Sequence, residues 1–184
     1  MTTGFFWARV NPPHAGHMWV IKKALLQVDR LIVVIGSAER KYEKDNPFSG
    51  AERKRMLEAY LKEEGIDMKR VRIFALPDPK MPFGKGVRHV MDSVPKFDVI
   101  FMTHELKEQR TGLKMELEKA IEEEAKSRKK RIIRFRRTGP ISSTRIRESI
   151  AKNRKWEHMT GKSVASIIRK LGGIERIRKL HKEP

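Results

Sequence analysis

The stretch Phe5-Phe6-Trp7-Ala8-Arg9-Val10-Asn11-Pro12-Pro13-His14-Ala15-Gly16-His17 decides how this chain is read. It opens as an apolar run, passes a Pro-Pro turn and ends in two histidines three residues apart. From Ala15 onward the apolar positions Met18, Ile21, Leu25 and Val28 recur at helical spacing, which predicts an amphipathic helix over 15–28. A strand that breaks into a polar turn and feeds a helix sets side chains at the carboxyl edge of a parallel sheet. That edge is where α/β proteins keep their ligands. Arg9, His14 and His17 are therefore the first candidates for chemistry.

The same pattern repeats outward. Residues 31–35 are a continuous, mostly β-branched apolar run, as expected of a strand buried on both faces. Ser49 with Glu52 three residues on forms a capping-box signature for a helix over 50–64, which Gly65 stops. Further strands are predicted at 71–76, 97–102 and 131–135. Helices are predicted at 87–93, 105–127, 142–153, 163–171 and 173–180. Alternating strands and helices predict an α/β fold, a Rossmann-like doubly wound parallel sheet of about five strands. Residues 1–184 read as one domain, with a Rossmann-like core at 1–153 and a C-terminal helical extension at 154–184.

Composition narrows the partners. No apolar run approaches the ~20 residues that span a bilayer, and the N-terminus lacks the basic and apolar regions of a secretory leader. A cytoplasmic protein without membrane contact is the expectation. The chain has no cysteine, which excludes disulfides, thiolate metal sites and a cysteine nucleophile. Its formal net charge is +19, with 35% charged residues. Dense Lys, Arg and Glu explain the amount of charge, and the sign favours anionic partners such as nucleotides or phosphates. Eight of the twelve residues at 126–137 are Lys or Arg. With Phe135 the sole aromatic there, stacking of single-stranded bases is not supported. Nucleic acid is thus a less favoured partner.

Two motifs carry the chemistry. His14-Ala15-Gly16-His17 lies where backbone N–H groups and the positive end of a helix dipole favour phosphate. Gly16 permits close approach. The two histidines have no acidic residue nearby in sequence, so no protein-held metal is expected. Late in the chain, Gly139-Pro140-Ile141-Ser142-Ser143-Thr144-Arg145-Ile146-Arg147 places three hydroxyl residues at a helix start with an arginine one turn in. This set is suited to gripping a polyphosphate.

Pro-x-His-x-Gly-His after the first strand, with Ile-Ser-Ser-Thr-x-Ile-Arg after the fifth, resembles the nucleotidyltransferase superfamily with the HxGH signature. The residues 35–38 and 46–53, and Gly-Ile-Glu-Arg-Ile from Gly173, resemble its archaeal nicotinamide-mononucleotide adenylyltransferases. The resemblance implies transfer of AMP from ATP, with Mg²⁺, to a phosphorylated acceptor, releasing pyrophosphate. It implies catalytic roles for His14, His17 and Arg147. It further implies nucleotide contacts from Phe6, Trp7, Arg9, Gly16, Ser142, Ser143 and Thr144, and a homo-oligomer. The acceptor half departs from the family. A Trp-Val pair that stacks on nicotinamide reads Gly86-Val87 here, and the stretch after the fourth strand reads Met102-Thr103-His104-Glu105-Leu106-Lys107. Nicotinamide mononucleotide is the expected acceptor. The alternatives are flavin mononucleotide, a phosphopantetheine-type phosphate, a phosphorylated alcohol with CTP as donor, or, from another class, a basic nucleic-acid-binding protein on this scaffold.

Overall fold

The computed structural model describes residues 1–104, 112–136 and 139–182. Five strands, β1 Thr3–Ala8, β2 Arg30–Ile35, β3 Val71–Ala75, β4 Val99–His104 and β5 Arg131–Arg136, form one sheet in the order β3-β2-β1-β4-β5. Every pairing is parallel. The helices are α1 Ala15–Leu25, α2 Gly50–Glu63, α3 Phe83–Asp92, α4 Gly112–Ser127, α5 Ser143–Ala151, α6 Lys162–Lys170 and α7 Gly173–Lys182. This is the doubly wound sheet expected from the sequence.

Side chains alternate across a strand, and β1 and β2 use both faces. Phe6, Val33 and Ile35 pack with Ile21, Leu57, Ile146, Ile168 and Ile177 from α1, α2, α5, α6 and α7. Phe5, Ile32 and Val34 pack with Val87, Met91 and Ile121 from α3 and α4. Strand order reverses at β1, which makes the crevice above its carboxyl end the place for a ligand. The register opens that crevice. β1 pairs with β2 as far as Ala8↔Ile35, but with β4 only as far as Phe6↔Phe101. Beyond Phe6 the two central strands part.

Several boundaries differ from the sequence reading. β4 starts two residues late, because Phe97 leaves the ladder to stack on Phe5 at 4.7 Å. Asp98 then ties the chain to Thr3, through its amide to the Thr3 carbonyl and its carboxylate to the Thr3 amide, both at 2.8 Å. α3 begins at Phe83 rather than 87, its first turns hidden in the sequence by Gly84 and Gly86. The predicted helix at 105–127 is seen as α4; its first part, 105–111, lies outside the described residues. The capping box at α2 forms as read: the Ser49 hydroxyl accepts from the Glu52 amide at 3.2 Å and Glu52 accepts from the Ser49 amide at 2.8 Å.

The last helices are joined to the core partly through Glu63. Its carboxylate accepts from the amides of Lys162 and Ser163 at 2.8 and 2.9 Å and from the Ser163 hydroxyl at 2.6 Å, capping α6. Burial pushes this carboxyl up, but the Ser163 and Lys162 donors outweigh it and hold it below its usual value. A depressed folded value adds stability that is present above the unfolded value and lost as pH falls through the folded one. Glu63→Gln is therefore expected to cost about 1 kcal/mol at neutral pH, the scale of a lost helix cap. Thermal melts should show the gap to wild type closing below about pH 4. A gap that is constant with pH would refute the carboxylate's part.

Candidate active site

The site is built on the turn after β1. Four of its carbonyls are held by donors from distant elements. Arg53 of α2 donates to the Arg9 carbonyl at 2.7 Å, and Arg147 of α5 to that of Asn11 at 2.9 Å. The Ser143 hydroxyl donates to Pro12 at 2.9 Å and the Thr160 hydroxyl to Pro13 at 2.7 Å. The Asn11–Pro12 peptide is cis, and Val10 sits at φ 52°. A buried β-branched residue in the left-handed region is strained by about 1–3 kcal/mol. Such a conformation persists where surrounding bonds over-determine it, and here they do.

The two histidines close the turn onto α1. His14 is the N-cap, its Nδ1 accepting from the Gly16 amide at 3.0 Å; His17 Nδ1 accepts from the His14 amide at 3.3 Å. This is a capping box with imidazoles in place of the usual hydroxyl and carboxylate. Because each Nδ1 is an acceptor, the hydrogen bonds assign the proton to Nε2 in both neutral rings. The rings lie 3.7 Å apart between centroids. Gly16 is required for a reason the sequence did not show. A Cβ there would come within 2.8 Å of the His14 ring, so the group that approaches closely is His14 itself.

Two cavities meet at these rings. One, of about 230 Å³, is polar and is lined by Arg9, Asn11, Ser142, Ser143, Thr144 and Arg147 together with both histidines. The other, of about 460 Å³, wraps the end of β1 between α1 and α4; Phe6, Trp7, Gly16, His14 and His17 border it. Every residue predicted for the site thus borders one cavity or both. Their roles differ in detail. Ser142 caps α5, accepting from the Arg145 amide at 3.1 Å. The Ser143 hydroxyl proton is committed to Pro12, which leaves its backbone amide, with that of Thr144, among the first-turn donors that lack an intrahelical acceptor. Phe6 turns its side chain into the core and offers backbone.

Arg147 is nearly enclosed, at 3% exposure, and also contacts Asp45 at 3.0 Å and the Thr144 hydroxyl at 3.3 Å. Burial pushes its guanidinium below the ordinary value; Asp45 opposes this and Arg9 adds to it. Arg9 lowers Arg53 as well. Three guanidinium groups therefore crowd the end of β1, an arrangement that favours an anion.

The sequence did not reveal Arg53. It is fully buried, and its fork reaches the Gly36 and Ser37 carbonyls at 2.8 and 2.7 Å besides that of Arg9. Its spacing to Met56, Leu57 and Tyr60 on the inward face of α2 was the available signal. Asp78, in the loop after β3, gave none. Its carboxylate takes the Ser37 amide at 2.8 Å and hydroxyl at 2.5 Å, holding that loop to the end of β2. The basic run borders neither cavity through residues 126–136. Within it Arg128 pairs with Glu124 and Asp92, and Arg134 with Glu122. Among the described residues no group of three His, Asp or Glu is placed to hold a metal, and no helix is long and apolar enough to cross a membrane.

Comparison with known proteins agrees with this geometry. Residues 5–149 match the cytidylyltransferase-like family. The nicotinamide-nucleotide adenylyltransferase of Pyrobaculum arsenaticum is 34% identical over 182 residues, covering 97% of this chain and 93% of the relative. That of Caldivirga maquilingensis is 36% identical over 179 residues, covering 97% and 93%. In fold, the chain is similar to a bifunctional NMN adenylyltransferase/ADP-ribose pyrophosphatase from Francisella tularensis, solved with AMP and a manganese ion. The TM-score is 0.75 at 20% identity, over 99% of this chain and 52% of the other. The chain thus spans about half the length of that bifunctional protein, but nearly all of its archaeal relatives. With its two-motif site assembled at the switch point of a five-stranded parallel sheet, the chain belongs to the cytidylyltransferase-like family of nucleotidyltransferases.

Proposed function

We propose that the protein transfers AMP from ATP to nicotinamide mononucleotide, giving NAD and pyrophosphate. The observation that carries this reading is the pair of cavities with His14 and His17 as their common wall. The larger one has room for a nucleoside and the smaller is polar and basic. A nucleoside triphosphate laid across both has its α-phosphate at the two rings. A phosphate oxygen of the acceptor attacks the α-phosphorus, the bond from that phosphorus to the bridging oxygen breaks, and pyrophosphate leaves. The chain contributes positioning and charge stabilisation. His14 and His17 donate through Nε2 to the α-phosphate, and Arg9 offsets its charge. The Ser142 and Thr144 hydroxyls, the first-turn amides of α5 and Arg147 hold the β- and γ-phosphates.

A divalent cation would enter this site as a passenger on the triphosphate, beside Arg9 and Arg147; bound there, Mg²⁺ would neutralise charge on the phosphate oxygens. The reading keeps the cytoplasmic setting expected from the sequence.

The test is pyrophosphate release in Mg²⁺ with ATP or CTP and a panel of acceptors: nicotinamide mononucleotide, flavin mononucleotide and phosphopantetheine. Release with ATP and nicotinamide mononucleotide, with NAD accumulating, is expected. Turnover of another acceptor in its place overturns the assignment. Asp45 supplies a second measurement. Its carboxylate occupies one arm of Arg147, so an incoming triphosphate must displace it. Asp45→Asn is expected to lower KM for ATP about two- to fivefold, the scale of an exposed ion pair. An unchanged or raised KM would show that Asp45 orients Arg147 instead.

A further inference from the structure

The larger cavity touches both faces of the sheet. Ala15, Gly16 and Trp19 border it on the α1 side; Leu117 and Ile121 of α4 border it on the other, where β1 points Trp7. Five aromatic residues line it, and four are committed. Phe5 stacks on Phe97 at 4.7 Å, Phe101 stacks on Phe135 at 5.6 Å, and Trp19 meets the edge of Phe135 at 5.6 Å. Phe6 is core, at 4% exposure. Trp7 is different. It is half-buried, and among the described residues its ring stacks on no other ring and its indole N–H has no acceptor.

Its position is fixed by a glycine. A Cβ on Gly36 would come within 2.5 Å of the Trp7 Nε1, so the bare backbone at the end of β2 is what lets the indole lie there. Beside it, Ser37 and Asp78 clasp the loop after β3. Within α3, Gly86 is buried against that loop: an added Cβ would meet Pro79 at 3.1 Å. A side chain at position 86 would press on the clasped loop at Pro79, which would have to give way to admit it.

We propose that the Trp7 indole, laid over Gly36, is the plate on which the acceptor's cationic pyridinium ring stacks. The inference rests on the adenylyltransferase reading above. It gives the two rings of the product separate seats: adenine on the α1 side of β1, and pyridinium on the α4 side, with the phosphates at the histidines between them. Indole is the side chain best suited to a desolvated cation, since its ring face is electron-rich. A pyridinium is flat as well as charged, so it gains stacking area in the same contact.

Steady-state kinetics and tryptophan fluorescence test this. In Trp7→Leu, KM for nicotinamide mononucleotide should rise about tenfold or more, the scale of a desolvated cation–π contact, with KM for ATP nearly unchanged. Trp7→Phe, which keeps a smaller ring, should fall between and controls for folding. Nicotinamide mononucleotide should quench wild-type tryptophan emission saturably, and the quench should vanish in Trp7→Phe although Trp19 and Trp156 remain. An unmoved acceptor KM in Trp7→Leu, an equal rise in both KM values, or a calorimetrically detected acceptor that leaves Trp7 emission untouched would each overturn the proposal. Quenching without turnover would uphold the seat and sink the reaction. Absence of both binding and turnover would sink the two together.

Discussion

His17→Ala is expected to lower kcat at least ~10²-fold, the scale for losing one donor aimed at transition-state charge, while KM for ATP changes little. The expectation comes from how the ring is held. Its Nδ1 accepts the His14 amide, which leaves the proton on Nε2 and the ring neutral. The ring lies 3.7 Å from that of His14, at the junction of the two cavities. A neutral donor preset on the α-phosphate serves a reaction in which negative charge shifts onto the phosphate oxygens as the bond to pyrophosphate breaks. The substitution also removes half of the α1 capping box, about 1 kcal/mol of local stability. A melting curve must therefore accompany the kinetics. A fall in kcat with the melt nearly unchanged assigns the loss to chemistry. An unchanged kcat would refute the role, and a fall in kcat matched by loss of folded protein would reduce His17 to a cap.

The divided legibility of this site has a physical basis. The order of elements and the two motifs were readable because they are local. Apolar periodicity in β2 and α2, the capping box at Ser49 and the hydroxyl run at Ser142 each leave a signature within a few residues. The bonds that hold the motifs together are not local. Arg147 and the Asn11 carbonyl are 136 residues apart, Ser143 and Pro12 are 131 apart, and Arg53 and Arg9 are 44 apart. No window contains both partners of any of them. What Gly16 makes room for is hidden for the same reason: the group beside it is the His14 ring folded back on the helix, a three-dimensional fact. Gly86 departs from the family pattern within the sequence itself, and its surroundings supply the rest. The loop clasped by Ser37 and Asp78 packs Pro79 against it, a contact between separate elements that no local window shows.

Arg53→Met is expected to be the most disruptive single change to the scaffold of the site. Arg53 carries a charge into full burial, and among the described residues no carboxylate is bound to it. Its nitrogens go to four carbonyls: Arg9 at 2.7 Å, Gly36 at 2.8 Å, Ser37 at 2.7 Å and Ser49 at 3.3 Å. Three of these end β1 and β2, where Arg9, Trp7 and the Asp78 clasp must be placed. Burial pushes the guanidinium down to about 10, with Glu39 and Asp78 opposing and Arg9 adding. Methionine matches the stem but donates nothing, so the carbonyls lose charge-assisted bonds inside the protein. Removing a buried charge offsets part of the loss. A net cost of about 3 kcal/mol follows from leaving several buried acceptors unpaired at about 1–3 kcal/mol each. In a chain of this size that corresponds to roughly 6–12 °C in Tm. Linkage makes the sign checkable. A base whose folded value is lowered is still protonated in both states below about 10, so the difference between Arg53→Met and wild type should be flat from pH 6 to 8 and, unlike that of Glu63→Gln, should not close near pH 4 through titration of the substituted group. Both KM values should rise together, because the ends of both strands lose one shared anchor, whereas Trp7→Leu should move one alone. Arg53→Lys, a point donor in place of a fork, should fall between the two in stability. A Tm within about 2 °C of wild type for Arg53→Met would mean that the carbonyls find other donors and that the turn is held by Arg147 and Thr160 without it.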